Sequence, residues 1–419
     1  MKESEHHGKI CFLNMPARGH VNPTLAVVQE LVRRGQEVSY YLTEEFRDVV
    51  QATGAVFQPY ESKLKGMPTM PPSFSSVGWV PTGSVRPMFL LEDMRYVPPQ
   101  VIDRIRAEQP DVIVYDFMCV WARTVIDELH VPAVATRATY ASNEHFNMMD
   151  HMRERMQNMP AGREMMERMR ARMTELAEQG GSSTNPLAGI FSAFSRAEQL
   201  NIIFMPKEFQ PAAETFDDRY LFVGPSILPR HEAPDFPFDQ LSSDQPLLYI
   251  SLGSIFTNQP EFYKLCFAAF ADQPWQVVLS IGKHIDPTTL GPVPENFLLS
   301  AYVPQLDILP LTRLFVTHAG TNSIMESMYF GVPMVLIPQQ PEQHMHAQRV
   351  VDLGLGVMLD KGSVTASTLR EAVERVAHDE AYRQRAQRLQ QSVRATGGYQ
   401  RAVDAIMQFT EEHVRGRQA

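Results

Sequence analysis

Apolar segments of strand length alternate with helical segments in both halves of this 419-residue chain. Such repetition is typical of parallel sheets, because parallel strands must be joined by crossover connections, which are usually helices. The strand candidates are residues 9–15, 37–43 and 111–116 in the first half and residues 246–254, 275–282, 296–304, 314–320 and 332–338 in the second. The pattern predicts an α/β fold with two open, doubly wound, Rossmann-like parallel-sheet domains.

A proline-rich, charged stretch without helical or strand periodicity separates the two halves, which predicts an interdomain linker over residues 225–245. The predicted domains cover residues 1–224 and 246–397, and residues 398–419 form a final amphipathic helical segment. Two domains imply a cleft between them, and ligands of open parallel sheets collect at the carboxyl ends of the strands.

Composition excludes several classes of partner and compartment. The formal net charge of -10 disfavours nucleic acid and anionic membrane surfaces, which both require a basic surface. The three cysteines, Cys11, Cys119 and Cys266, are far apart and odd in number, so neither a disulfide framework nor a thiolate metal site is expected. The N-terminal residues lack the apolar core of a signal peptide, and no apolar run could span a bilayer, so we expect a cytoplasmic protein.

The stretch "MPARGHVNPTL", residues 15–25, carries a histidine directly after the first predicted strand. Asn22 is the predicted N-cap of the following helix, Pro23 its first residue and Gly35 its end. His20 then lies at the turn, and Asp116 ends another predicted strand, so both are expected at the same rim of the first sheet. Taken alone, His20 could be a solvated loop histidine and Asp116 a turn residue or helix cap.

The densest chemistry lies in residues 315–343, "FVTHAGTNSIMESMYFGVPMVLIPQQPEQ". The strand is predicted to end near His318, and a helix opens with Asn322 and Ser323 after a small turn. A helix N-terminus attracts phosphate, Gly320 allows close backbone approach, and Glu326 could accept hydrogen bonds from a ribose diol one turn later. The combination predicts a nucleotide diphosphate site, although an ordinary capped helix with a buried histidine explains each residue singly.

Other motifs narrow the alternatives. The chain contains no P-loop, no strand-linked G-x-G-x-x-G, no D-x-D and no G-x-S-x-G. His344 and His346 could suggest a metal ligand pair, as could the two histidines near the N-terminus, but no third ligand has suitable spacing, so we predict solvated histidines and no metal site. The methionine-rich segment 148–173 predicts either core packing or a plastic wall of an acceptor pocket.

Together these motifs resemble the UDP-dependent glycosyltransferases of family 1, and most closely the bacterial macrolide and flavonoid enzymes. The resemblance rests on "RGHVNPTL", "YDFMCVWARTV", "SLGS", "AYVPQLDIL" and the long motif, in that family's order. It implies the GT-B fold, with two facing domains, the acceptor bound by the first and the donor by the second. It also implies a final helix, over residues 398–414, that crosses back to the first domain.

The resemblance also assigns roles by position. His20 corresponds to the catalytic base and Asp116 to its partner carboxylate. The residues expected at the donor are Tyr302, stacked on uracil, Val303 and Gln305 at the base and ribose, Ser254, His318, Gly320, Asn322 and Ser323 at the phosphates, Glu326 at the ribose, and Glu342 and Gln343 at the sugar. Relatives usually have Asp-Gln where this chain has Glu342 and Gln343, and commonly Gly where it has Ser327.

The implied reaction is a single displacement with inversion, in which a hexose, by default glucose, passes from a UDP-sugar to a hydroxyl group without metal or cofactor. Residues 70–83, Phe117, Tyr140 and the methionine-rich segment favour a hydrophobic acceptor such as a macrolide, flavonoid or other polyketide. We expect a monomer. Two alternatives stay open: a UDP-sugar 2-epimerase of the same fold, and a non-catalytic protein that binds a nucleotide sugar and regulates.

Overall fold

The computed structural model describes residues 8–64, 92–148, 197–228, 235–242, 244–253 and 257–418, together with a few helical positions between 150 and 171. These residues form two compact units. The first unit comprises the described residues up to Ile227 and those from Thr396 onward, and the second spans Leu228–Ala395. Each unit is built around a parallel sheet, as the alternation of strands and helices predicts.

The sheet of the first unit contains seven strands among the described residues, in the order β3-β2-β1-β4-β5-β6-β7. All neighbours in it are parallel. The strands are β1 (Lys9–Leu13), β2 (Glu37–Leu42), β3 (Val56–Pro59), β4 (Val112–Asp116), β5 (Ala133–Arg137), β6 (Leu200–Ile203) and β7 (Tyr220–Phe222). The helices that flank them include α1 (Arg18–Arg33), α2 (Arg47–Gln51), α3 (Pro98–Glu108) and α4 (Ala122–Leu129).

The central strand β1 is buried on both faces because helices cover both sides of the sheet. Successive side chains of a strand point to opposite faces. Ile10 and Phe12 accordingly lie in a core cluster with α1, whereas Cys11 and Leu13 lie in a second cluster with α3 and α4. All three cysteines are buried free thiols, as expected from their number and spacing in the sequence.

The start of α1 differs from the prediction. The helix begins at Arg18 with Ala17 as its N-cap, so Asn22 is not a cap and Pro23 lies inside the helix. The backbone N–H groups of His20 and Val21 donate to the Ala17 carbonyl at 2.9 and 3.0 Å, which closes the first turn. Pro23 has no backbone N–H, so the helix loses one hydrogen bond at this position, the one to the carbonyl of the exposed Gly19. His20 therefore lies in a regular helical turn. Gly35, with φ +83°, follows the helix end as predicted.

The sheet of the second unit contains six parallel strands among the described residues, in the order β10-β9-β8-β11-β12-β13. The strands are β8 (Leu247–Ser251), β9 (Gln276–Ser280), β10 (Phe297–Ser300), β11 (Thr312–Thr317), β12 (Met334–Leu336) and β13 (Gly356–Met358). The helices are α5 (Pro260–Phe270), α6 (Gln305–Ile308), α7 (Thr321–Phe330), α8 (Pro341–Asp352), α9 (Ala366–His378) and α10 (Glu380–Ala395).

The final helix, α11 (Gly398–Gln418), belongs to the first unit. Val403 and Ile406 are fully buried in the same core cluster as α1. At the helix start the backbone N–H of Gly398 donates to the Val223 carbonyl at 2.8 Å. Arg34, the C-cap of α1, forms an ion pair with Asp404 at 2.5 Å. Among the described helices, none has the length and apolarity needed to cross a bilayer.

Both sheets reverse their strand order at one place. In the first unit the chain runs outward from β1 to β3 and then returns to β4 on the other side of β1; in the second it runs from β8 to β10 and returns to β11 beside β8. Open α/β sheets bind ligands outside the carboxyl ends of the strands at such switch points. The strand order therefore predicts ligand sites at the carboxyl ends of β1 and β4, and at those of β8 and β11.

Candidate active site

The switch point of the first unit holds the predicted histidine and carboxylate. Asp116 is the last residue of β4, and His20 lies in the first turn of the helix that follows β1. His20 Nδ1 is 2.9 Å from Asp116 Oδ2. The side chain of Asp116 is 1% exposed and that of His20 is 21% exposed, so the carboxylate is enclosed while the imidazole reaches the surface. The structure thus joins two residues that are 96 positions apart in sequence.

The carboxylate is fixed from two sides. The backbone N–H of Met118 donates to Asp116 Oδ1 at 2.8 Å, while Oδ2 faces the imidazole. Because a carboxylate only accepts hydrogen bonds, this geometry places the His20 proton on Nδ1 and makes Nε2 the basic nitrogen. A histidine held in this tautomer by a buried carboxylate is an arrangement suited to general-base catalysis.

A buried polar cluster lies under the first turn of α1. Asn14 Nδ2 donates to the hydroxyl of Tyr40 at 2.8 Å and to the backbone carbonyl of His20 at 3.3 Å. The hydroxyls of Tyr40 and Thr24 are 2.7 Å apart, and burial raises the pKa of Tyr40. The cluster ties the helix that carries His20 to β1 and β2. Sequence reasoning missed it, although Asn14 is a polar residue in an otherwise apolar run.

A buried arginine also lies close to the carboxylate. Arg137 ends β5, beside β4, and is 1% exposed. Its guanidinium lies 4.6 Å from the ring centroid of Phe117, and burial lowers its pKa. The same Phe117 ring lies 6.1 Å from the His20 imidazole, which places this predicted acceptor-lining residue beside the histidine. Tyr140, predicted to line the same pocket, is 1% exposed and stacks on Phe209.

The switch point of the second unit holds residues that are predicted to contact phosphate. β11 ends at Thr317, and α7 begins at Thr321 with Gly320 as its N-cap, so His318 lies between the strand and the helix, as predicted. Gly320 has an ordinary φ of -65°, so its lack of a side chain serves a close approach. A Cβ at Gly320 would lie 2.5 Å from His318 Nε2, and one at Gly253 would lie 2.5 Å from His318 Cε1. Two glycines therefore leave room for this imidazole.

The turn before α7 has an unusual backbone. Ala319 is fully buried and has φ 65°, in the left-handed region that non-glycine residues rarely adopt. Burial, together with the nearby imidazole of His346, lowers the pKa of the neighbouring His318 to about 4. His318 is therefore neutral near pH 7 in the unliganded protein. An anion at the start of α7 would meet a positive helix end and an imidazole able to take up a proton.

A hydrogen-bonded group on α6 and α7 brings together two residues that are predicted at the ribose, Gln305 and Glu326. Gln305 Nε2 donates to Glu326 Oε2 at 2.5 Å and to Ser323 Oγ at 3.4 Å. The Tyr249 hydroxyl donates to Gln305 Oε1 at 3.2 Å. Glu326 is 6% exposed, so its carboxylate is held in a largely dry setting. Sequence reasoning missed Tyr249, because it lies inside an apolar strand and looks like a core residue.

The remaining predicted donor residues lie just before α6 and in the first turns of α7 and α8. Val303 is buried, Tyr302 is half-buried just before α6, and Asn322 lies in the first turn of α7. Gln343 Oε1 accepts from the backbone N–H of Gln339 at 2.7 Å, so its amide NH₂ is the part that can donate to a sugar hydroxyl. Glu342 precedes it in the first turn of α8.

Some predicted features are corrected or cannot be placed. His346 is 1% exposed, so the prediction of a solvated histidine is wrong for this residue; α8 turns its side chain toward the core. Ser327, at the position where relatives commonly have glycine, is fully buried on α7. Ser254, residues 70–83 and most of segment 148–173 lie outside the described residues. Within the described part of the chain, no three His, Cys, Asp or Glu side chains are grouped to hold a metal ion.

Comparisons with known proteins agree with this geometry. Residues 231–395 match the family described as UDP-glucoronosyl and UDP-glucosyl transferase. The NDP-glycosyltransferase YjiC of Bacillus subtilis is 39% identical over 96% of this chain and 97% of its own. The chain belongs to this glycosyltransferase family. The residues of the family match span most of the second unit and include the start of α7 and the first turn of α8.

Further relatives match nearly the whole length of the glycosyltransferase. Oleandomycin glycosyltransferase of Streptomyces antibioticus is 32% identical over 95% of this chain and 90% of its own. The crystal structure of CalG4, the calicheamicin glycosyltransferase, superposes with a TM-score of 0.78 at 32% identity, over 96% of this chain and 98% of the other. The predicted family and the GT-B class of fold, with two Rossmann-like domains, are confirmed.

Proposed function

We propose that this glycosyltransferase moves glucose from UDP-glucose to a hydroxyl group of a hydrophobic natural product, with inversion and without a metal ion. The observation that carries the proposal is the 2.9 Å hydrogen bond between His20 and the enclosed Asp116 at the switch point of the first unit. This pair suits the removal of a proton from a hydroxyl group.

In the proposed reaction, His20 Nε2 takes the acceptor proton as the acceptor oxygen attacks the anomeric carbon of the sugar. The new C–O bond forms while the bond from that carbon to the diphosphate oxygen breaks, and UDP leaves with the bonding electron pair. Asp116 stabilises the imidazolium that results. Because attack and departure occur on opposite faces in one displacement, the configuration of the anomeric carbon inverts.

The second unit provides the donor contacts in this proposal. The diphosphate lies at the N-terminus of α7, where Asn322 and Ser323 donate hydrogen bonds and His318 faces the developing charge. The uracil of the UDP-sugar stacks on Tyr302 beside the Val303 backbone.

Glu326 accepts from the ribose hydroxyls, and the network that positions this carboxylate supports a ribonucleotide such as UDP. Glu342 and the amide of Gln343 contact the sugar hydroxyls.

The proposed acceptor class rests on two observations. Relatives that cover nearly the whole chain are named for oleandomycin and calicheamicin, which are complex natural products. The imidazole of His20 lies beside the apolar ring of Phe117, so the acceptor hydroxyl would be presented from an apolar molecule. The epimerase and regulator alternatives are not favoured, because neither requires a base beside an acceptor site and the His20–Asp116 pair is intact.

The test is acceptor-dependent release of UDP from UDP-glucose, with and without excess EDTA, across a panel of macrolides and flavonoids. Wild type is compared with His20→Ala, and His378→Ala at an exposed helix end is the matched control. We expect turnover that survives EDTA, persists in the control and falls at least about a hundredfold without His20. Turnover that requires a divalent metal ion, or that persists without His20, would refute the mechanism. A parallel assay with dTDP-glucose tests the nucleotide assignment.

A further inference from the structure

One buried histidine close to the donor site has no role in the reaction described above. His346 lies on α8 and is 1% exposed. Its Nδ1 is 3.4 Å from the hydroxyl of Thr321, the first residue of α7. The backbone of Ala319 hydrogen-bonds the same imidazole, so His346 contacts the turn before α7 on both sides of Gly320.

That turn needs support from its surroundings. Ala319 is held in a left-handed conformation, and the glycines beside the His318 imidazole leave no space for an additional methyl group. A strained backbone keeps its conformation only where neighbouring groups determine it. The contacts of His346 with Ala319 and Thr321 supply such support from a different helix.

His346 also lies one helical turn after Glu342, the residue proposed to contact the sugar. Residues four apart on a helix are neighbours on its surface, and the carboxylate of Glu342 acts electrostatically on the imidazole. One side chain therefore touches the phosphate-binding turn and lies next to a sugar-binding residue. Displacement of α8 relative to α7 would disturb both at once.

We propose that His346 is a positioning residue for the donor, which braces the phosphate-binding turn of residues 318–321 and holds α8 in register with it. The inference rests on the proposed function, because it takes the diphosphate of a UDP-sugar as the group bound by this turn. It predicts that loss of the imidazole weakens binding of UDP and of the intact donor, whereas the acceptor step on the first unit is unaffected.

The test compares wild type with His346→Leu, His346→Gln and Gln348→Leu. Leucine removes both hydrogen-bonding nitrogens, glutamine restores a donor and an acceptor, and Gln348 is exposed two positions further along the same helix. The measurements are the Kd of UDP by calorimetry, the donor and acceptor KM, kcat, and the thermal midpoint. We expect His346→Leu to raise the Kd of UDP and the donor KM about tenfold with the acceptor KM unchanged, as loss of one or two hydrogen bonds implies. Glutamine should restore both values to within about threefold, and Gln348→Leu should match wild type.

The outcomes separate this inference from the proposed function. Equal UDP binding by wild type and His346→Leu would refute the inference alone. Equal losses in the leucine and glutamine variants, in proportion to lowered thermal midpoints, would show that His346 only fills the core, which also refutes it. Wild-type protein that turns over dTDP-glucose but binds no UDP would refute the proposed donor, and this inference with it.

Discussion

Replacing Asp116 by asparagine removes one negative charge and preserves the size of the side chain. The backbone N–H of Met118 can still donate to the amide oxygen, as it does to Asp116 Oδ1 at 2.8 Å, so the strand end should keep its conformation. The amide NH₂ then faces His20 Nδ1, where Oδ2 lies at 2.9 Å in the native protein. An NH₂ group donates, so Nδ1 must accept and the imidazole proton moves to Nε2, which removes the basic lone pair from the acceptor.

The size of the effect follows from this contact. A hydrogen bond to a charged group contributes about 1.5–3 kcal/mol, and about 1.4 kcal/mol corresponds to a tenfold change in rate. Loss of the charge-assisted bond alone should therefore lower kcat about 10- to 150-fold. The wrong tautomer adds to this loss, so we expect a decrease of about a hundredfold or more. The donor KM should not change, because Asp116 belongs to the other unit.

The assay is steady-state UDP release with the best acceptor of the panel, for Asp116→Asn, His20→Ala and the double variant. Asp103→Asn provides the matched control, since its side chain is 86% exposed. Residues that act as one unit are non-additive, so the double variant should be no slower than His20→Ala alone. Two results would show that the carboxylate does not act through the histidine. In one, the decrease in kcat of the double variant equals the product of the two single decreases; in the other, the kcat of Asp116→Asn stays within about threefold of wild type.

Three further predictions concern other parts of the structure. Gly320→Ala should weaken UDP binding at least about tenfold in calorimetry while Gly362→Ala does not, because a Cβ at Gly320 would lie 2.5 Å from His318 Nε2. UDP-glucose should bind more tightly as the pH falls from about 8 to 5, because the diphosphate raises the His318 pKa above its unliganded value of about 4 and the complex takes up a proton; equal Kd values across that range in calorimetry would contradict this. Ile406→Ala should lower the free energy of unfolding by about 2–5 kcal/mol in urea titrations, because this fully buried side chain lies in the core of the first unit; a change under about 0.5 kcal/mol would contradict the docking of α11.

Local pattern was sufficient for eight of the thirteen described strands. Strand periods are written in short windows of sequence, so these eight were placed to within a few residues, for example β4 at Val112–Asp116 against a predicted 111–116. The other five, β3, β5, β6, β7 and β13, are only three to five residues long and were not predicted. The start of α1 was misplaced because the usual preference of proline for the first turn was followed, whereas the helix begins at Arg18 and includes Pro23 with the loss of one hydrogen bond. Capping preference is a weak signal wherever the surrounding structure can compensate.

The site residues divide in the same way. His318, Asn322 and Glu326 lie within one strand–turn–helix segment, so their shared location follows from local structure and could be predicted from spacing. Arg137 and Tyr249 could not be found in this way. Each looks like an ordinary strand residue, and its contact with the site depends on which strands are neighbours in the sheet.

The sequence by itself determined the alternation of strands and helices, the two sheets, and the helix N-terminus suited to a phosphate, because each depends on neighbours along the chain. Only the tertiary structure decided that Asp116 is hydrogen-bonded to Nδ1 of His20, that two glycines border the His318 imidazole, and that His346 is buried against the turn before α7. The contacting residues are far apart in sequence: His20 and Asp116 are 96 positions apart, and Thr321 and His346 are 25 positions apart. Strand order and helix docking create them, and no short window of sequence encodes either.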